Sequence, residues 1–245
     1  MRQRFLLALL FLSLINLALT GCGSSPTPTP LPALQPTVAE TSVPSVRTHT
    51  PIPAEHISLA SFVITLPAPW PVLRPTDRNW TDQIAQIQTE NNQFAPYLAA
   101  LAAMPMLTDT VAIAWSPAAD LNLALTAIVL PADGLTLQSY LAAAKTELEQ
   151  SRLALGSGVT IEHAAIRYDL HETHIPLAIL QYTMPAAPSG QDATTMVTGY
   201  QAAMLGQTGR DLLVLTFVTR QPQPEVVVTE IETIVARLQD LTLVQ

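Results

Sequence analysis

Three places in this chain of 245 residues gather side chains able to do chemistry. His171 and His174 lie three apart with Glu172 between them, and imidazole with carboxylate is a donor set for a divalent metal. The zinc-protease pattern needs a wider spacing and a helix beneath it, whereas His171-Glu172-Thr173-His174 reads as a hairpin turn. His163 can join the pair only if two strands bring it alongside. Ser157 stands between Gly156 and Gly158, but the nucleophile elbow is Gly-x-Ser-x-Gly on a strand-to-helix turn, and here a helix precedes. Cys22 is the single cysteine, so no intrachain disulfide can form. With nine glycines, no phosphate loop or dinucleotide fingerprint occurs. No catalytic residue, metal ligand or cofactor site is assigned, and the reading is of a protein that is not an enzyme.

What remains is Cys22 and the segment that presents it. Arg2 and Arg4 precede an apolar run over residues 5–19 that includes Ser13 and Asn16. A membrane-spanning helix needs about 20 apolar residues, and this run is shorter. A secretory signal has a charged start, an apolar stretch and small residues at its cut site, which makes residues 1–21 the signal peptide. Leu19-Thr20-Gly21-Cys22 resembles the lipobox of bacterial lipoproteins at all four positions. The resemblance implies a mature chain that begins at Cys22. It also implies a diacylglyceryl group on the sulfur and a further acyl chain, such as palmitate, on the amine. One acyl chain holds a protein only marginally, while two or three hold it firmly. The expected location is the extracytoplasmic face of a bacterial membrane, with Cys22 as the lipidation site. Gly23 follows the cysteine, so no aspartate is there to suggest retention at an inner membrane.

Residues 22–55 read as a tether. Pro26, Pro28, Pro30 and Pro32 alternate with threonine and leucine, and Pro36, Pro44, Pro51 and Pro53 follow. Proline fixes φ and removes an N–H donor, so this stretch favours an extended, solvated conformation. At about 3.1 Å per residue, thirty such residues reach on the order of 90 Å. The Thr/Pro mixture is also of the kind that accepts O-glycans. His49 and His56 lie in or near it and are assigned no role.

Without Arg2 and Arg4, 9 Lys+Arg stand against 19 Asp+Glu, a formal charge of −10. That balance excludes a basic footprint for nucleic acid and a polybasic grip on anionic lipid. Charged residues make up 12% of the chain, against about a quarter in ordinary domains, so large apolar faces are expected. Residues 56–245 are long enough for one sizeable core.

Within that domain, Phe62, Ile64 and Leu66 alternate as a short strand, which Pro67-Ala68-Pro69-Trp70-Pro71 should end, with Trp70 plugging the core. Trp80, Ile84, Ile87, Phe94, Leu98 and Leu101 mark one face of a helix, and Pro96 opens a second short helix reaching Met104. The apolar run over 97–106 suits a core helix or a cover for an apolar ligand. Val111, Ile113 and Trp115 form a strand, and Leu121 to Val129 return antiparallel. Thr136 caps a helix whose Leu137, Tyr140, Leu141, Ala144 and Leu148 share a face. Strands are expected over 159–170, 175–184, 193–205 and 212–219, with short turns that imply antiparallel neighbours. A last helix over 225–238 should bury Val228, Ile231, Val235 and Leu238, with Glu225 and Arg237 suiting its dipole. Asn79-Trp80-Thr81 matches the N-glycosylation sequon and is read as chance.

Two patterns carry a further resemblance: Phe62-Val63-Ile64-Thr65-Leu66-Pro67 followed by Trp70, and the run Gly209-Arg210-Asp211-Leu212-Leu213-Val214-Leu215-Thr216-Phe217 before the last helix. In this element order they resemble the PsbP-like superfamily over residues 58–241. The resemblance implies an α+β domain, a central antiparallel sheet of about six or seven strands with helices on both faces (an α/β/α sandwich). It brings no functional residue. The function expected is that of a membrane-anchored, non-catalytic envelope lipoprotein that binds another protein. A carrier of a small apolar ligand is the alternative, and a metal-dependent hydrolase built on His171 and His174 the third.

Overall fold

The computed structural model describes residues 53–74, 82, 111–116, 123–155, 159–185, 196–219 and 224–241. The signal peptide, Cys22, the tether up to residue 52, the helices expected over 80–104 apart from Asp82, the apolar run over 97–106, the sequon and Gly156-Ser157-Gly158 lie outside the described residues.

Nine strands and two long helices are described. They are β1 (Pro53–Leu59), β2 (Phe62–Leu73), β3 (Val111–Trp115), β4 (Leu123–Pro131), α1 (Leu137–Leu155), β5 (Thr160–Arg167), β6 (Leu177–Pro185), β7 (Met196–Leu205), β8 (Asp211–Thr219), α2 (Pro224–Ala236) and β9 (Gln239–Asp240). All pair antiparallel in the order β1-β2-β3-β4-β8-β7-β6-β5, with β9 added to β2. The sheet is therefore larger than the six or seven strands expected, by β1 and β9. Glu55 and His56 are exposed and Ile57 and Leu59 buried, so two apolar residues beside prolines make an edge strand.

β2 also runs through the prolines that were expected to end it. Its register against β1 jumps between Thr65↔His56 and Trp70↔Ala54. Pro67 and Pro69 fall inside that jump, and a residue without an N–H is tolerated at such an irregularity. The strand thus bulges instead of stopping, and Trp70 beyond the bulge is fully buried.

The helices lie on opposite faces. Leu213, Leu215 and Phe217 of β8 join a core with Val227, Ile231, Ile234, Val235 and Leu238 from α2 and its end. Leu212 and Val214 join a second core with Leu137, Tyr140, Ala144 and Leu148 of α1. Alternate residues of one strand therefore feed different cores, as the period of two requires. On α1 the expected face is buried except that Leu141 is only partly so, while on α2 Val227 and Ile234 are buried and Val228 is partly exposed. Thr136 caps α1 as expected: its Oγ1 accepts from Ser139 N at 3.1 Å, and Ser139 Oγ accepts from Thr136 N at 3.0 Å. This is the reciprocal capping box with serine in the usual glutamate position. No helix among the described residues is long and apolar enough to cross a membrane.

Candidate functional site

The turn between β5 and β6 places His171 and His174 differently. His171 is buried, 5% exposed, and not in the solvated turn expected from sequence. Its Nδ1 accepts from Thr173 N at 3.1 Å, and Thr173 Oγ1 lies 2.9 Å from the same nitrogen. Because Nδ1 accepts a backbone N–H, the proton sits on Nε2, which donates to Leu238 O at 2.6 Å. The ring's tautomer is thus set by its partners, and both nitrogens are used. Glu172 N donates to Ala236 O at 3.2 Å, so this turn satisfies two carbonyls at the end of α2, which the helix itself cannot. Arg237 follows the helix and reaches Glu172 at 3.7 Å, an exposed pair of little energetic weight.

His174 is exposed, at φ 58°, with Nδ1 3.2 Å from Tyr168 O. His163 sits on the outer strand β5, opposite Gln181. It is four residues up the strand from Arg167, about 13 Å at the rise of an extended chain. The fold does not bring it to the turn. Among the described residues no group of three His, Cys, Asp or Glu could hold a metal. His171 is a fastening between a turn and a helix end.

A second polar constellation went unnoticed in the sequence. Tyr140 Oη on α1 donates to Gln201 Oε1 on β7 at 2.9 Å, and Gln201 Nε2 donates to Thr216 Oγ1 on β8 at 3.3 Å. Gln201 is wholly buried. Thr216 is the register partner of both Gln201 and Thr126, so the three strands carry one polar row under the helix. Thr126 Oγ1 is buried with no hydrogen-bond partner, as is Trp70 Nε1 on the opposite face. Burial pushes the Tyr140 phenol well above the ordinary tyrosine range, with smaller contributions from Tyr182 and Glu147. Burial also raises Tyr182 to about 12. Neither phenol ionises at neutral pH, which suits hydrogen bonding and not base catalysis. The available signal was Gln201 set among the apolar residues Tyr200 and Ala202 to Leu205 of β7.

The third cluster is on the α2 side. Arg167 Nε and Nη2 reach the two carboxylate oxygens of Asp169 at 2.7 and 2.6 Å, a two-pronged pair of the strong type. Tyr200 and Glu232 are close enough to influence Arg167. Burial, then Glu232, raises the Tyr200 phenol, whose ring packs edge-on against Phe217 at 6.3 Å. The hydrogen bond from Arg167 lowers the Asp169 carboxyl from 3.8 to about 2. A depressed carboxyl contributes stability above its unfolded value and loses it as pH falls towards the folded one, so the window runs from about 4 down to about 2. An NMR titration should place the Asp169 midpoint near 2, and Arg167→Met should return it to the ordinary carboxylate range.

No protein-family model matches the chain, and no curated protein matches it. Several solved structures are similar to it, among them the following two. The solution structure of the cyanobacterial PsbP, CyanoP, from Synechocystis sp. PCC 6803 shares 11% identity, covering 82% of this chain and 98% of that one, at a TM-score of 0.45. The Ran-binding protein Mog1p of Saccharomyces cerevisiae shares 10% identity, covering 78% of this chain and 96% of that one, also at 0.45.

Proposed function

We propose that this chain is a lipid-anchored, non-catalytic accessory protein on the extracytoplasmic face of a bacterial membrane, whose domain binds another envelope protein. The observation that carries the reading is Leu19-Thr20-Gly21-Cys22 behind the apolar run over 5–19. The proline-rich stretch after it supplies reach, and a single cysteine cannot be drawn into an intrachain disulfide. Both nitrogens of His171 are taken up in hydrogen bonds, which leaves neither nitrogen free to ligate a metal and weighs against the hydrolase reading.

The test is metabolic labelling with an alkyne fatty acid in a bacterial host that lipidates its own lipoproteins. The native chain should carry label and sediment with membranes. Cys22→Ser should lose the label, and label retained on that variant would refute the anchor. Crosslinking in cells tests the second half, and recovery of the domain with no crosslinked envelope protein would count against a binding role.

A further inference from the structure

The segment over 236–241, which starts at the last residue of α2, is tied to three hairpin turns from distant parts of the strand order. Ala236 O and Leu238 O are held by Glu172 N and His171 Nε2 of the β5–β6 turn. Asp240, 8% exposed, accepts from Gln207 N in the β7–β8 turn at 2.7 Å through Oδ2. Leu241 N donates to Ser61 O in the β1–β2 turn at 2.7 Å. Gln239 and Asp240 then pair with Val63 and Phe62 of β2. One short stretch thus fastens the first hairpin to both the middle and the far edge of the sheet.

Among the described residues that hairpin is otherwise thinly joined in backbone terms. There β2 and β3 pair at Val72↔Ala114 and Leu73↔Ile113, whereas β4 and β8 pair continuously from Leu123↔Thr219 to Pro131↔Asp211. Just before the narrow join, β2 carries Pro67, Pro69 and Pro71, none of which can donate to a ladder. The hairpin's inner face, Phe62, Ile64, Leu66 and Trp70, packs into the α2-side core. The Trp70 N–H is buried there without a partner, a cost that exists only while the hairpin is closed.

We infer that β1 and β2 form a strap that opens as a unit, and that residues 236–241 are the latch that keeps it shut. Proteins open locally in cooperative pieces whose free energies range up to that of the global transition. The strap pivots where β2 meets β3. Opening uncovers the inner face of the strap and the flank of α2. Because the strap begins at Pro53, it is the first part of the domain to feel any pull on the preceding chain. The inference is independent of the lipid anchor and of any partner.

Hydrogen exchange read by mass spectrometry on the full-length chain tests it. In the native chain, amides of residues 57–66 should exchange through an opening less sensitive to denaturant than the one that exposes β7 and β8. Asp240→Ala, and separately His171→Phe, should speed exchange over 57–66 roughly tenfold while leaving β7 and β8 unchanged. Exchange of all strands through one common opening in the native chain would overturn the strap. Equal acceleration everywhere, or none over 57–66, in the variants would overturn the latch. The native-chain arm stands even if a variant fails to fold.

Discussion

Replacing Gly199 with alanine should destabilise the domain by about 3 kcal/mol, the upper range for forcing extra volume into a packed interior. Gly199 on β7 is the register partner of Tyr182 on β6. A Cβ built there would overlap Cζ, Cε2 and Oη at the far end of the Tyr182 side chain, which therefore lies against the glycine. Tyr182 is 6% exposed within the α1-side core, so its ring has no open side to move into. Thermal unfolding should shift down by roughly 6–12 °C for a domain of this size. Tyr182→Phe removes the Oη overlap but keeps those with the ring carbons and should relieve only part of the loss, whereas Tyr182→Leu should make the Gly199→Ala substitution less costly. A double-mutant cycle reads that coupling directly. Additive losses would show that the ring and the glycine are not in the contact described.

The second large effect belongs to Gln201. Its truncation to alanine leaves the Tyr140 hydroxyl without its acceptor, removes the donor to Thr216, and opens a void in a wholly buried site. Unmade buried hydrogen bonds and cavities together cost about 2–4 kcal/mol. Tyr140→Phe alone should cost less, about 1–2 kcal/mol, because it strands only the Gln201 carbonyl. Gln201→Leu with Tyr140→Phe removes both partners at similar shape and should lie nearer to the native chain than Gln201→Ala does. Denaturant midpoints measured at constant slope give the comparison. A double variant as unstable as Gln201→Ala would mean that volume and not hydrogen bonding sets the loss.

Much of the architecture was legible because local signals and burial agree. The face built from Leu137, Tyr140, Ala144 and Leu148 needed only helical spacing, and Thr136 marked its start. On α2 the stripe was misplaced by one residue at its beginning. Val226, Val227 and Val228 are all apolar, so spacing alone does not choose among them, and packing selects Val227. β1 was missed because prolines and the exposed Glu55 and His56 obscure the alternation of Ile57 and Leu59. β9 is two residues long and exists only because β2 is there to pair with. Among the chemical groups, Cys22 is singled out by its local setting alone and lies outside the described residues. The burial of His171 could not be read, since the carbonyl that holds it is 67 residues away. Tyr140 and Gln201 are likewise 61 residues apart, a pairing that only the assembled sheet creates.

The polar row under α1 bears on how the central strands find their alignment. Every position from Leu212 to Phe217 is buried, as is every position from Tyr200 to Met204. Strands apolar on both faces lose the alternation that ordinarily penalises a slip, since a shifted strand still buries hydrocarbon. Thr216 and Gln201 break that degeneracy. They are register partners across β8 and β7, joined by a hydrogen bond, and a slip of one residue would part them and carry Gln201 away from the Tyr140 hydroxyl. A buried polar contact is a recognised way to fix register at some expense of stability. In this sheet it marks which of several equally greasy alignments is the native one.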